Sequence, residues 1–126
     1  MRKSVIRISI AVLAIYSFIS PTLAYSDSTK APVFSLPGKY KTIDLSKYKG
    51  KVVYLDFWAS WCEPCKRSFP WMNELQSQYG ENGFEVVAVS LDSSRKDAEA
   101  FLKKIPAKFD IAFDERGKTA EAYQLK

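Results

Sequence analysis

At 126 residues, with 47% hydrophobic, 14% aromatic and 26% charged residues and a formal net charge of +5, the chain has the size and balance of one ordinary globular domain. Five Gly and six Pro exclude a collagenous or low-complexity chain, and the apolar content excludes intrinsic disorder. His is absent and there are only two Cys, so Cys-His and Ser-His nucleophile pairs, imidazole metal ligands and haem axial histidines are all excluded.

Residues 1–24 follow the three-part plan of a secretory leader: Arg2, Lys3 and Arg7, an apolar run over 8–19, then Ser20-Pro21 and Thr22-Leu23-Ala24. The run is 12 residues long, short of the ~20 that a helix needs to cross a bilayer. We therefore expect cleavage after Ala24 and export through the Sec translocon into the periplasm. A lipid anchor would need a Cys at the cleavage point, and the nearest is Cys62. The leader holds three of the 19 basic residues and none of the 14 acidic ones, which leaves 16 against 14, or +2, beyond it. Lys39, Lys41, Lys47, Lys49 and Lys51 read as a solvated loop, and no nucleic-acid role is assigned.

Residues 25–30 are polar and read as a flexible mature terminus, followed by one domain over 31–126. Residues 31–38, bracketed by Pro32 and Pro37, suit a short edge strand. A helical turn is expected over 44–48, before Gly50. Residues 51–58 are β-branched and aromatic with no polar alternation until Asp56, the pattern of a strand covered on both faces. A helix over 63–79 carries Phe69, Met72, Leu75 and Tyr79 on one face, with Pro70 as a kink, and residues 80–83 close it. Residues 84–91 form a second buried strand, completing a right-handed βαβ unit with parallel strands. Asp92, Ser93 and Ser94 suit the N-cap of a helix bearing Ala98, Phe101, Leu102 and Ile105, which Pro106 stops. A short extended piece over 109–113 and a helix starting within 118–125 complete the chain.

The chemistry concentrates between Asp56 and Cys65. A strand, a tight turn and a helix place Cys62 at the helix N-terminus and at the carboxyl edge of the sheet. Free backbone N-H groups and the helix dipole there stabilise a thiolate, so Cys62 is the natural nucleophile. Cys65 lies one turn further on, able to resolve a mixed disulfide. A purely structural disulfide at this spacing closes too small a loop to stabilise much. Zinc needs four ligands, of which this chain supplies two unless a dimer shares the site. Covalent haem attachment needs a His where Lys66 stands. No metal and no cofactor are assigned.

Asp56 is a carboxylate inside an apolar strand, so its pKa should rise, and it can take a proton from Cys65 directly or through water. The competing reading is a strand-end carboxylate capped by backbone N-H groups. Glu63 and Pro64 fill the gap between the cysteines, and the charge of Glu63 opposes the Cys62 thiolate, which pushes the couple toward the reducing side. Trp58 reads as core, Trp61 as an apolar wall for an incoming protein, and Ser60 as chemically silent.

These residues resemble the thioredoxin active-site segment, and residues 31–125 resemble the TlpA/ResA-like extracytoplasmic thiol-disulfide oxidoreductases. The signatures are Ala31-Pro-Val-Phe-Ser-Leu, Leu45 followed by Tyr48-Lys-Gly-Lys-Val-Val, Phe57-Trp-Ala-Ser-Trp-Cys-Glu-Pro-Cys-Lys with Phe69-Pro70, and Ala122-Tyr123. The resemblance implies a thioredoxin-like α/β fold, a central mixed sheet flanked by helices. It also implies a reductant role toward periplasmic protein disulfides and a membrane thiol-disulfide reductase of the DsbD or CcdA type as electron donor. In some relatives the targets are apocytochrome c cysteines. ResA-like members often carry a Glu three residues after the second Cys, where this chain has Ser68, so no acid-base role is carried over to that position. The family pattern continues past Lys126 into a cis-proline loop, a β-hairpin and a last helix. We therefore expect a fragment of a longer protein, and an apolar open edge on the strand over 52–58 without those strands.

Three rival readings compete. A peroxiredoxin-like peroxidase needs Thr or Ser three residues before its Cys and Pro seven before, but Ala59 and Leu55 stand there for Cys62, and Cys62 and Trp58 for Cys65. A copper chaperone needs wider Cys spacing and a His. The non-enzymatic alternative is a secreted binding module whose cysteines form a fixed staple.

Overall fold

The computed structural model describes residues 29–125, so the leader expected over 1–24 lies outside the described residues. Thr29 and Lys30, the described end of the expected flexible terminus, are exposed and have no regular structure. The β-branched strand β3 (Val52–Trp58) runs parallel to β4 (Phe84–Ser90), with Val52 against Phe84 and Trp58 against Ser90. On its other side β4 runs parallel to β5 (Asp110–Phe113), from Val87 against Asp110 to Ser90 against Phe113. The order β3-β4-β5 steps in one direction twice, so two right-handed crossovers put α1 (Glu63–Tyr79) and α2 (Arg95–Lys104) on the same face of the sheet.

That face is the larger core. Phe69 and Met72 of α1 and Ala98, Phe101 and Leu102 of α2 pack with Trp58, Val86, Ala88, Ile111 and Phe113. Trp58, Phe69 and Phe101 form an aromatic triangle with centroid separations of 5.0, 4.8 and 5.0 Å, tilted or edge-on as ring quadrupoles prefer. Phe69 is fully buried at its centre. Truncating it to Ala should cost about 3–5 kcal/mol, read as a lower midpoint in denaturant unfolding with an unchanged slope.

The opposite face is covered by β1 (Ser35–Pro37), β2 (Thr42–Asp44), a 3-10 turn over Leu45–Tyr48, and Tyr123, just after α3 (Lys118–Ala122). β1 and β2 form an antiparallel hairpin joined to the main sheet by one antiparallel bridge, Gly38 to Ala112. A Cβ on Gly38 would stand 2.8 Å from the Ile111 carbonyl oxygen, which is why only Gly lets the hairpin approach so closely. The three-stranded sheet is itself parallel throughout, not mixed as expected, and the antiparallel pairing is confined to this two-stranded hairpin and its single bridge.

Four local expectations change. β2 occupies 42–44, where no strand is expected; a three-residue segment has no periodicity to read, and it is held by the pairing with β1 and by Ile43, which is almost fully buried. The helical turn starts at Leu45, with Asp44 as its N-cap accepting from the Ser46 N-H at 2.9 Å. β3 is not covered throughout: Val52 is 68% and Tyr54 38% exposed, because among the described residues no strand flanks its outer edge. α1 runs unbroken through Pro70, whose ring faces solvent, so water can serve the carbonyl that loses its helical donor. Gly83, at φ 81°, then turns the chain into β4.

Candidate active site

β3 delivers the chain to a buried Ala59, and the Leu91 N-H bonds back to the Trp58 carbonyl at 2.8 Å. A turn over 59–62 is closed by the Cys62 N-H donating to the Ala59 carbonyl at 3.0 Å. Cys62 has extended dihedrals and is itself the N-cap of α1, with Glu63 and Pro64 opening the helix, a position that Pro suits because it has no N-H to leave unpaired. Cys62 and Cys65 are joined as a disulfide with Cα atoms 5.3 Å apart. Cys65 is buried against the aromatic core, whereas Cys62 is half-buried at its rim. An incoming group therefore meets the Cys62 sulfur first, at the positive end of the helix dipole.

Trp58 lies in the core and Trp61 is 77% exposed beside Cys62. Asp56, two residues before Trp58, shares its face of β3, the face that carries α1 and Cys65. Burial pushes its carboxyl up to about 6, opposed only in part by a hydrogen bond from the Phe57 backbone. Its Oδ2 is buried with no hydrogen-bond partner among the described residues, as is the Trp58 Nε1. Glu63 is exposed and accepts from the Lys66 Nζ at 2.6 Å, which holds its carboxyl below the usual range.

Ser60, silent in the sequence reading, proves to be tied down. Its N-H donates to Asp92 Oδ2 at 2.9 Å and its hydroxyl to Oδ1 at 2.6 Å, while the Ser90 hydroxyl donates to Oδ2 at 3.0 Å. Asp92 is buried in this cage, and the N-cap of α2 is Ser94. The available signal was a carboxylate directly after a run of buried strand residues, a placement that needs several donors to be tolerated.

A family model described as the AhpC/TSA family matches residues 28–126. The chain belongs to the AhpC/TSA family. Among AhpC/TSA relatives, the thiol-disulfide oxidoreductase ResA of Geobacillus kaustophilus is 33% identical over 129 residues, covering 99% of this chain and 74% of that one. ResA of Bacillus thuringiensis is 40% identical over 83 residues, or 66% of this chain and 48% of that relative, so the chain spans about half the length of several curated relatives it matches. A crystal structure from Chlorobium tepidum, described as a thiol:disulfide interchange protein DsbE, superposes with a TM-score of 0.75 at 56% identity, over 77% of this chain and 69% of that one. The AhpC/TSA domain here thus has a thioredoxin-like α/β fold with its cysteine pair at disulfide distance.

Proposed function

We propose that this chain is a thiol-disulfide oxidoreductase that reduces disulfides in proteins through a Cys62/Cys65 dithiol-disulfide cycle. The observation that carries the reading is the asymmetry of the pair: a half-buried Cys62 capping α1 and a buried Cys65 already within bonding distance of it. In the reduced protein the Cys62 thiolate attacks one sulfur of a substrate disulfide. That S-S bond breaks, a mixed disulfide forms, and the other substrate sulfur leaves as a thiolate that takes up a proton. Cys65 then gives its proton to the Asp56 carboxylate, directly or through water, and its thiolate attacks Cys62. The second substrate sulfur leaves as a thiol, and two electrons have passed from the pair to the substrate.

Trp61 offers an apolar surface to the arriving chain, and Pro64 starts the helix that sets the cysteine spacing. Negative charge near Cys62 supports the reducing direction, and the potential should lie nearer the about −270 mV of thioredoxin than the about −120 mV of DsbA. Residues 1–24 would serve as a cleavable leader for export to the periplasm. There a membrane reductase of the DsbD or CcdA type would reload the pair, and secreted protein disulfides, apocytochrome c among them, would be the substrates. No helix among the described residues is long and apolar enough to cross a membrane.

The deciding experiment is insulin reduction in the presence of dithiothreitol. The protein should accelerate precipitation of the insulin B chain strongly over dithiothreitol alone. A pair that stays oxidised at millimolar dithiothreitol, with no acceleration, would make the disulfide a fixed staple and reject the enzyme.

A further inference from the structure

We infer that Asp92 is a positioning residue for Cys62, holding the turn that presents the nucleophile and setting how well its thiolate is stabilised. The inference deepens the oxidoreductase reading and rests on it. Asp92 lies two residues beyond β4 and is only 6% exposed. It accepts from Ser60 at both oxygens and from Ser90 at Oδ2, and its own N-H is bonded to the Ser90 hydroxyl oxygen at 3.2 Å. Every one of these donors is neutral, and no cation among the described residues forms a salt bridge with it.

Ser60 is the second residue of the turn closed between Ala59 and Cys62, so clamping Ser60 at its backbone and hydroxyl leaves that turn one geometry. A nucleophile held on a fixed turn loses little freedom when it enters the attack, which is the benefit of preorganisation. Asp56 shares the β3 face that carries Cys65, so the electrostatic part of the turn itself follows from comparing the carboxylate that opens α1, Glu63, with the one bonded to Ser60, Asp92. Glu63 is adjacent in sequence, but it is exposed and faces the Lys66 ammonium, so its field is screened and largely cancelled. Asp92 is buried and balanced only by dipoles, so its charge reaches further through the low-dielectric interior. The carboxylate that holds the thiolate in check is therefore Asp92 more than Glu63, a residue remote in sequence that the fold returns to the turn.

The test uses the full chain and two variants that move the charge in opposite senses. Asp92→Asn keeps the shape and one acceptor for the Ser60 N-H but removes the charge. Iodoacetamide should then alkylate Cys62 about threefold faster at pH 7, and the equilibrium with glutathione should move about threefold toward the dithiol. Ser60→Ala keeps the charge and removes one donor that disperses it, so alkylation should slow by about twofold. Unchanged alkylation and an unchanged glutathione equilibrium in both variants, with only a lowered melting temperature, would reduce Asp92 to a structural clamp and overturn the inference. Should Asp92→Asn not fold, Ser60→Ala decides alone: slower alkylation upholds the inference and an unchanged rate overturns it. Failure of the oxidoreductase reading is separable, because it would appear as no insulin reduction by the unaltered protein while the variants still shift the glutathione equilibrium.

Discussion

Replacing Cys65 by Ser should turn the protein from a catalyst into a trap. Cys62 sits half-exposed at the start of α1 and needs no help from Cys65 to attack a substrate disulfide. The mixed disulfide that forms has one intramolecular exit, the buried Cys65 sulfur, whose Cα lies 5.3 Å from that of Cys62. Without it, release waits for a thiol from solution, which competes against a partner that was held permanently in place; the loss of such an intramolecular advantage lowers turnover by about 10³-fold or more. On a non-reducing gel, C65S incubated with a disulfide substrate should run as a covalent adduct that dithiothreitol removes. Cys62→Ser should give neither turnover nor adduct, because the remaining sulfur is buried against Trp58 and Phe69. Adducts from C62S and none from C65S would reverse the assignment of nucleophile and resolver.

Asp56→Asn should make the protein more stable and less active. The folded carboxyl keeps its proton up to about pH 6, against a usual value of 3.8, with burial as the main cause. Between those values the folded state binds more protons than the unfolded one, so this group makes stability fall as pH rises, and its cost is fully present above about pH 6. The carboxyl is partly reached by solvent, so the cost is about 1–2 kcal/mol at pH 7 once screening is allowed for. D56N removes it, and the gain in unfolding free energy at pH 7 should vanish below pH 4, where both forms are neutral. Activity should move the other way. With no acceptor for the Cys65 proton, resolution should slow by about tenfold or more, and a rate limb rising near pH 6 should disappear from the pH profile. A variant with unchanged rate and an intact limb would assign Asp56 to structure alone.

Both expectations rest on residues whose chemistry is visible in one dimension. Cys62 and Cys65 three apart, at a junction of apolar strand and amphipathic helix, specify a helix N-terminus whatever the rest of the chain does, because the dipole and spacing are local. The same holds for β3, α1, β4 and the apolar face of α2, whose hydrophobic periods are long enough to outweigh tertiary context. Asp56 could be flagged because a single carboxylate interrupts a run of buried apolar residues.

Legible in one dimension are therefore the longer elements, the cysteine pair and the anomaly of Asp56, all of them set by patterns within a few turns or strand residues. The remaining features come from contacts between segments far apart in the chain. Three-residue β2 exists by pairing with β1 and by the close approach at Gly38, not by propensity. The solvent-facing half of β3 follows from which strands lie beside it, a property of sheet order and not of composition. Glu63 sits next to Cys62 in sequence, yet its charge is met by Lys66 at the surface. Asp92 lies 32 residues from Ser60, yet it closes on the Cys62 turn. Electrostatic reach depends on burial and distance in space, and neither can be read from separation along a chain.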